Sequence, residues 1–186
     1  ETVTEGMKEL AAGVLERLAY DDDENKLAIM EAGGHIALTQ LLNSETATDD
    51  AKVNAAGVFV HLAWNEDHIL GIMETGVHIA LIRLLNSKTA TEDAKANAAV
   101  VVTYIFDNKE ARMAIMEAGG ITALETIFNK EGVGEELKEN VADALKAIRS
   151  AIAKQEVVVP MQEVKPEKKE EKRSQISWKP LMSFGK

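Results

Sequence analysis

The pair of residues with the most obvious chemical potential in this 186-residue sequence is His61 with His68, seven positions apart. Two imidazoles begin a metal site only when further ligands join them, since zinc sites take three or four protein ligands. No third ligand stands at a recognisable spacing, so both read as surface or groove histidines. His35 and His78 each open a helix after a glycine and read as structural. The run Asp21-Asp22-Asp23-Glu24 is not a calcium loop, because the glycine needed at its sixth position is Lys26. Gly132-Val133-Gly134 hints at a phosphate loop, but Leu137 stands where the third glycine belongs and no strand precedes it. Cysteine is absent, which excludes disulfides, thiolate metal sites and a cysteine nucleophile. No catalytic triad, paired carboxylates in a plausible pocket or cofactor motif is present. The expectation is a protein that is not an enzyme and carries no cofactor and no metal.

Charge narrows the partner. Residues 1–154 carry a net −12 and residues 155–186 a net +2. An acidic body repels phosphate backbones, which argues against nucleic acid and favours protein or peptide partners, basic ones included. No run approaches the ~18 apolar residues of a membrane helix, and the N-terminus lacks a basic segment followed by an apolar core. An intracellular, cytoplasmic location is the expectation, and a chain starting at glutamate reads as a processed or subcloned fragment.

The elements that must position these residues follow a fixed ruler. Ala28-Ile29-Met30-Glu31-Ala32-Gly33 returns as Gly71-Ile72-Met73-Glu74-Thr75-Gly76 and as Ala114-Ile115-Met116-Glu117-Ala118-Gly119, at steps of 43 residues. Self-similarity at a period of about 20–50 residues signals a stacked repeat. Each pass reads as a short helix, a glycine turn, a medium helix, a polar loop and a long helix. In the first pass these are a helix from near Glu24, Gly33-Gly34, His35–Leu42, Asn43 to Thr48, and Asp50–Ala63 with Thr48 or Asp49 as N-cap. The second pass spans Glu66–Phe106 and the third Lys109–Lys154. Residues 5–19 place Leu10, Ala11, Val14, Leu15, Leu18 and Ala19 at helical spacing and align with Asp50–Ala63, so the chain begins on the last helix of a partial repeat. Val100 to Phe106 alone suggests a buried strand, but its register with helical counterparts makes it a helix packed between neighbours. Met30, Met73 and Met116 are repeat-equivalent and read as core. The expected division is 1–20, 21–63, 64–106 and 107–154 within one unit, followed by 155–186 as an extended tail.

These units resemble the armadillo repeat. Glu24-Asn25-Lys26, Ile29 to Gly34, Ala37-Leu38 and Leu41-Leu42 are similar to the family's first and second helices. Asn54-Ala55-Ala56-Gly57-Val58 with Leu62-Ala63 is similar to its third. The resemblance covers about residues 5–154 and implies an all-α, right-handed α-solenoid of about three repeats plus an N-terminal partial one. It also implies a concave groove, lined by third helices, that binds extended protein segments. In importin-α-like members a tryptophan and, one turn later, an asparagine clamp the peptide backbone. Here the tryptophan positions are Gly13, Gly57, Val100 and Asp143, and the asparagine positions are Arg17, His61, Tyr104 and Ala147, so that ladder is absent. One turn earlier, Asn54, Asn97 and Asn140 recur. The groove expected from this register is lined by Arg17, Asn54, His61, Trp64, Asn97, Tyr104, Asn140 and Asp143. The three asparagines have two readings, contact with a ligand backbone or bonding to the loop between second and third helices, because buried amides need partners either way.

The tail offers a different surface. Pro160, Pro166 and the mixed charges of Glu167 to Arg173 suit solvated chain, whereas Trp178, Leu181, Met182 and Phe184 are candidate anchors. Residues 174–186 are expected to dock on the acidic solenoid, in cis or on a second copy, with a linear motif for another protein or a helix covering the last repeat as the alternatives. Self-association through that tail or through the end helices, and a regulatory armadillo domain of a larger enzyme such as a ubiquitin ligase, are the alternatives to a peptide-binding scaffold.

Overall fold

The computed structural model describes residues 3–156. Among them ten helices and no strands occur: α1 Glu5–Ala19, α2 Asp23–Glu31, α3 Gly34–Asn43, α4 Asp49–Ala63, α5 Glu66–Glu74, α6 Val77–Asn86, α7 Glu92–Phe106, α8 Lys109–Glu117, α9 Gly120–Phe128 and α10 Glu135–Glu156. The segment from Val100 to Phe106 is helical as its register requires. The tail anchors Trp178, Leu181, Met182 and Phe184 lie outside the described residues.

Local chemistry sets the boundaries. Thr4, Thr48 and Thr91 cap α1, α4 and α7, each hydroxyl accepting a first-turn backbone N–H, which satisfies a donor the helix itself leaves unpaired. Asp22, Asn65 and Asn108 do the same for α2, α5 and α8. Each first helix then turns into its second through a left-handed glycine, Gly33, Gly76 or Gly119, with φ of 75°, 76° and 79°. A side chain there would be strained by its own backbone, so the glycine of the recurrent hexapeptide is a hinge pin.

The third helices α1, α4, α7 and α10 pack side by side in chain order, and α3, α6 and α9 form a second row behind them. The core runs continuously between the rows through Val58, Phe59, Leu62, Leu81, Val101, Ile105, Leu124 and Ile148, all fully buried. Fully burying one such side chain contributes roughly 1.5–3 kcal/mol. The two ends differ. α10 turns Glu136, Glu139, Lys146 and Arg149 outward, a polar end face of the kind a stack needs. α1 instead exposes Met7, Leu10, Val14 and Leu18 at 56%, 71%, 56% and 45%. The register-mates of Met7, Val14 and Leu18, which are Ala51, Val58 and Leu62, are fully buried, because α3 covers α4 and no equivalent helix among the described residues covers α1.

Two sequence expectations need correction. Met30 and Met73 pack against the core, but Met116 is 47% exposed. The Met30 methyl rests on Gly71 of the following first helix, whereas no described first helix follows α8. His68 is not a surface or groove residue; it is 7% exposed within α5.

Candidate functional site

The expected groove residues all lie on the third helices or at their ends, and the geometry sorts them into three groups. At one end Arg17 and Asn54 line a shallow cleft with Glu9, Leu10, Gly13, Val14 and Glu16. Asn54 Nδ2 donates to the carbonyl of Glu9 at 3.4 Å, and Asn97 Nδ2 donates to the carbonyl of Val53 at 3.2 Å. Asn54 and Asn97 therefore brace α4 and α7 against the preceding third helix, rather than bonding the loop between second and third helices. The bond leaves the amide oxygen uncommitted, and an asparagine amide carries both donor and acceptor capacity. Gly13 permits the close approach: a Cβ at that position would sit 3.1 Å from Asn54 Nδ2.

Glu16 lies across Gly57, filling the place where a tryptophan of the importin-α-like pattern would stand. Burial raises the Glu16 carboxyl above its ordinary value, and the neighbouring Arg17 partly offsets this. Farther along, His61 is half-buried against Tyr20, ring centroids 5.4 Å apart and planes at 89°. Burial lowers the His61 pKa; the nearby Lys26 ammonium lowers it further and Asp21 opposes both. Lys26 itself buries its stem while its ammonium reaches Asp23 at 2.9 Å.

Trp64 and Tyr104 meet in the same way, centroids 5.5 Å apart and planes at 64°. Both contacts join the end of one third helix to the position one turn earlier on the next. The rings form a diagonal across the repeats, with Trp64 70% exposed at its centre. A pocket opens beside it, lined by Ala63, Trp64, Glu66, Ile69, Tyr104, Asp107 and Asn108. Asn140 and Asp143 sit on α10, half-buried and exposed, outside both clusters. Sequence reasoning missed Tyr20, Glu66 and Asp107. The signal for two of them was available: Tyr20, Trp64 and Asp107 are register equivalents on α1, α4 and α7.

This row of three-helix units has solved counterparts. The designed armadillo repeat protein YIII(Dq)4CqI is 27% identical over 80% of this chain and 60% of its own, with a TM-score of 0.69. The chain has an armadillo-like repeat fold. Computationally designed armadillo repeat proteins for modular peptide recognition match with a TM-score of 0.70 at 24% identity, covering 81% of this chain and 63% of theirs. The designed armadillo repeat protein YIII(Dq.V1)4CPAF in complex with peptide (KR)4 matches at 0.68 and 20% identity, over 83% and 67%. The chain thus spans about 60 to 67% of the length of these armadillo proteins. No protein-family profile and no curated protein sequence matches it. No single helix among the described residues is long and apolar enough to cross a membrane.

Proposed function

We propose that residues 1–154 work as a non-enzymatic scaffold that binds an extended protein segment along the third helices, through Arg17, Asn54, His61, Trp64, Asn97, Tyr104, Asn140 and Asp143. The observation that carries this reading is the repeated aromatic contact, Tyr20 with His61 and Trp64 with Tyr104, which leaves a large indole exposed in a fixed register. Aromatic side chains supply contact area at low entropic cost and dominate protein-binding hot spots. The net −12 of residues 1–154 favours a segment with basic side chains. The (KR)4 peptide belongs to the designed protein that holds it; at 20% identity the likeness carries the fold rather than the ligand. A peptide-array screen tests the reading. For a partner found this way, His61→Ala with Tyr104→Ala weakens binding at least tenfold without loss of helicity. Unchanged affinity would move the site elsewhere.

Self-association is the second reading, favoured by the exposed stripe of Met7, Leu10, Val14 and Leu18 on α1. Contiguous exposed apolar surface of this kind marks contact sites.

A further inference from the structure

The pocket beside Trp64 has a composition that selects one ligand chemistry. Two of its walls are the Trp64 and Tyr104 rings, steeply inclined to each other at 64°. Ala63 and Ile69 complete its lining from behind, at 3% and 2% exposure. Glu66 and Asp107, both exposed, bring carboxylates to its edge. Of the amides, Asn108 lines the pocket, and its Oδ1 is engaged by the backbone N–H groups of Glu110 and Ala111. What the pocket offers is therefore the exposed Trp64 indole, packed edge to face with Tyr104, and two carboxylates at a rim that Arg112 also borders, its Nη2 donating to the Asp107 carbonyl at 3.0 Å.

A cation with an apolar skin fits that combination. Aromatic faces carry negative quadrupolar charge, and walls of this kind recognise quaternary ammonium groups. A plain lysine ammonium is compact and strongly hydrated, so moving against the rings strips hydration that carboxylates on one side of it replace only in part. Methyl groups remove that cost, keep the charge and add contact with the exposed Trp64 ring. We propose that Trp64, Tyr104, Glu66 and Asp107 form a binding site for a methylated ammonium group, carried as the trimethyllysine side chain of the bound segment. The carrier rests on the peptide-binding reading above; the ammonium site rests on the pocket alone.

The sequence makes the test direct. Trp64 and Trp178 are the two tryptophans, so Trp178→Phe in the full chain leaves Trp64 as the sole indole reporter. Its emission is followed during titration with tetramethylammonium, then with one basic peptide carrying lysine, trimethyllysine or an uncharged carbon isostere at a single position. The expected results are a saturable change with tetramethylammonium and at least tenfold tighter binding of the trimethyllysine peptide than of the other two. Asp107→Asn with Glu66→Gln weakens that binding at least fivefold, with helicity unchanged. No saturable response to either methylated cation, or equal affinity for the uncharged isostere, overturns the proposal. Equal binding of the lysine and trimethyllysine peptides overturns the site while leaving the peptide reading standing. A response to tetramethylammonium with no peptide bound overturns the trimethyllysine carrier in that peptide and leaves the ammonium site standing.

Discussion

The carboxylate of Glu16 on α1 occupies the space that a side chain at Gly57 on α4 would need. Two features follow from this one contact. α1 and α4 approach closely, and Glu16 gives up part of its hydration, which raises its pKa.

Gly57 is helical, so alanine there meets no backbone obstacle. What stands in its way is the Glu16 side chain, its Oε1, Cδ and Cγ, which can swing aside. Gly57→Ala is expected to stabilise the protein by about 0.5–1 kcal/mol, the usual gain from restricting a helical glycine. The Glu16 carboxyl, pushed toward water, returns to its ordinary range. Urea denaturation and an NMR titration of Glu16 check both, and a net loss of stability would mean that Glu16 is anchored where it lies.

The asparagine brace makes a graded prediction. Asn97→Ala removes a 3.2 Å bond to the carbonyl of Val53, and Asn54→Ala removes a 3.4 Å bond to that of Glu9. A typical intramolecular hydrogen bond contributes about 1 kcal/mol net. Asn97→Ala should therefore cost about that much in chemical denaturation, and Asn54→Ala less. Equal costs would show that packing, rather than the bond, sets the effect.

Three histidines give the fold a pH dependence. Burial lowers the pKa of His35, His61 and His78 from the ordinary 6.5. A base with a lower pKa when folded binds fewer protons than in the unfolded chain, so stability rises with pH across the interval between the two values. Acidification from pH 7.5 should lower the melting temperature from about pH 6.5 downward, until the folded-state values are passed. Glu16 has the opposite sign: its raised pKa favours the fold as pH falls through the carboxylate range, so the histidine effect is read cleanly only above that range. Replacing all three histidines by glutamine should flatten the slope between pH 7.5 and 5.5. An unchanged slope would assign it to other groups.

The end faces predict an asymmetry in association. Leu10→Lys with Val14→Lys places charge on surface that is already exposed, so stability should change by less than about 0.5 kcal/mol, as for ordinary surface substitutions. Light scattering at high concentration should show any oligomer reduced to monomer by this pair. Charge reversal at Lys146 on the polar face of α10 should leave it intact. Oligomers that survive the α1 substitutions must be held by another surface.

Much of this protein was legible from its residues in order. The 43-residue period, threonine and asparagine caps and glycine hinges are local or periodic, so spacing alone determined ten helices in three passes and a partial unit. Even the β-branched run from Val100 to Phe106 yielded to register. What spacing could not decide was which neighbour each repeated side chain meets. Asn54 and Asn97 recur identically whether they serve a loop, a ligand or the next helix, and only the packing of adjacent third helices assigns their Nδ2 atoms to Glu9 and Val53. Met30 and Met116 are the same residue in the same motif, yet one rests on Gly71 and the other faces solvent. A repeat specifies its own faces; burial is decided by what stacks on them. The same holds at the candidate site, where Trp64 and Tyr104 lie 40 residues apart in sequence and become one ring pair only because α4 and α7 pack side by side.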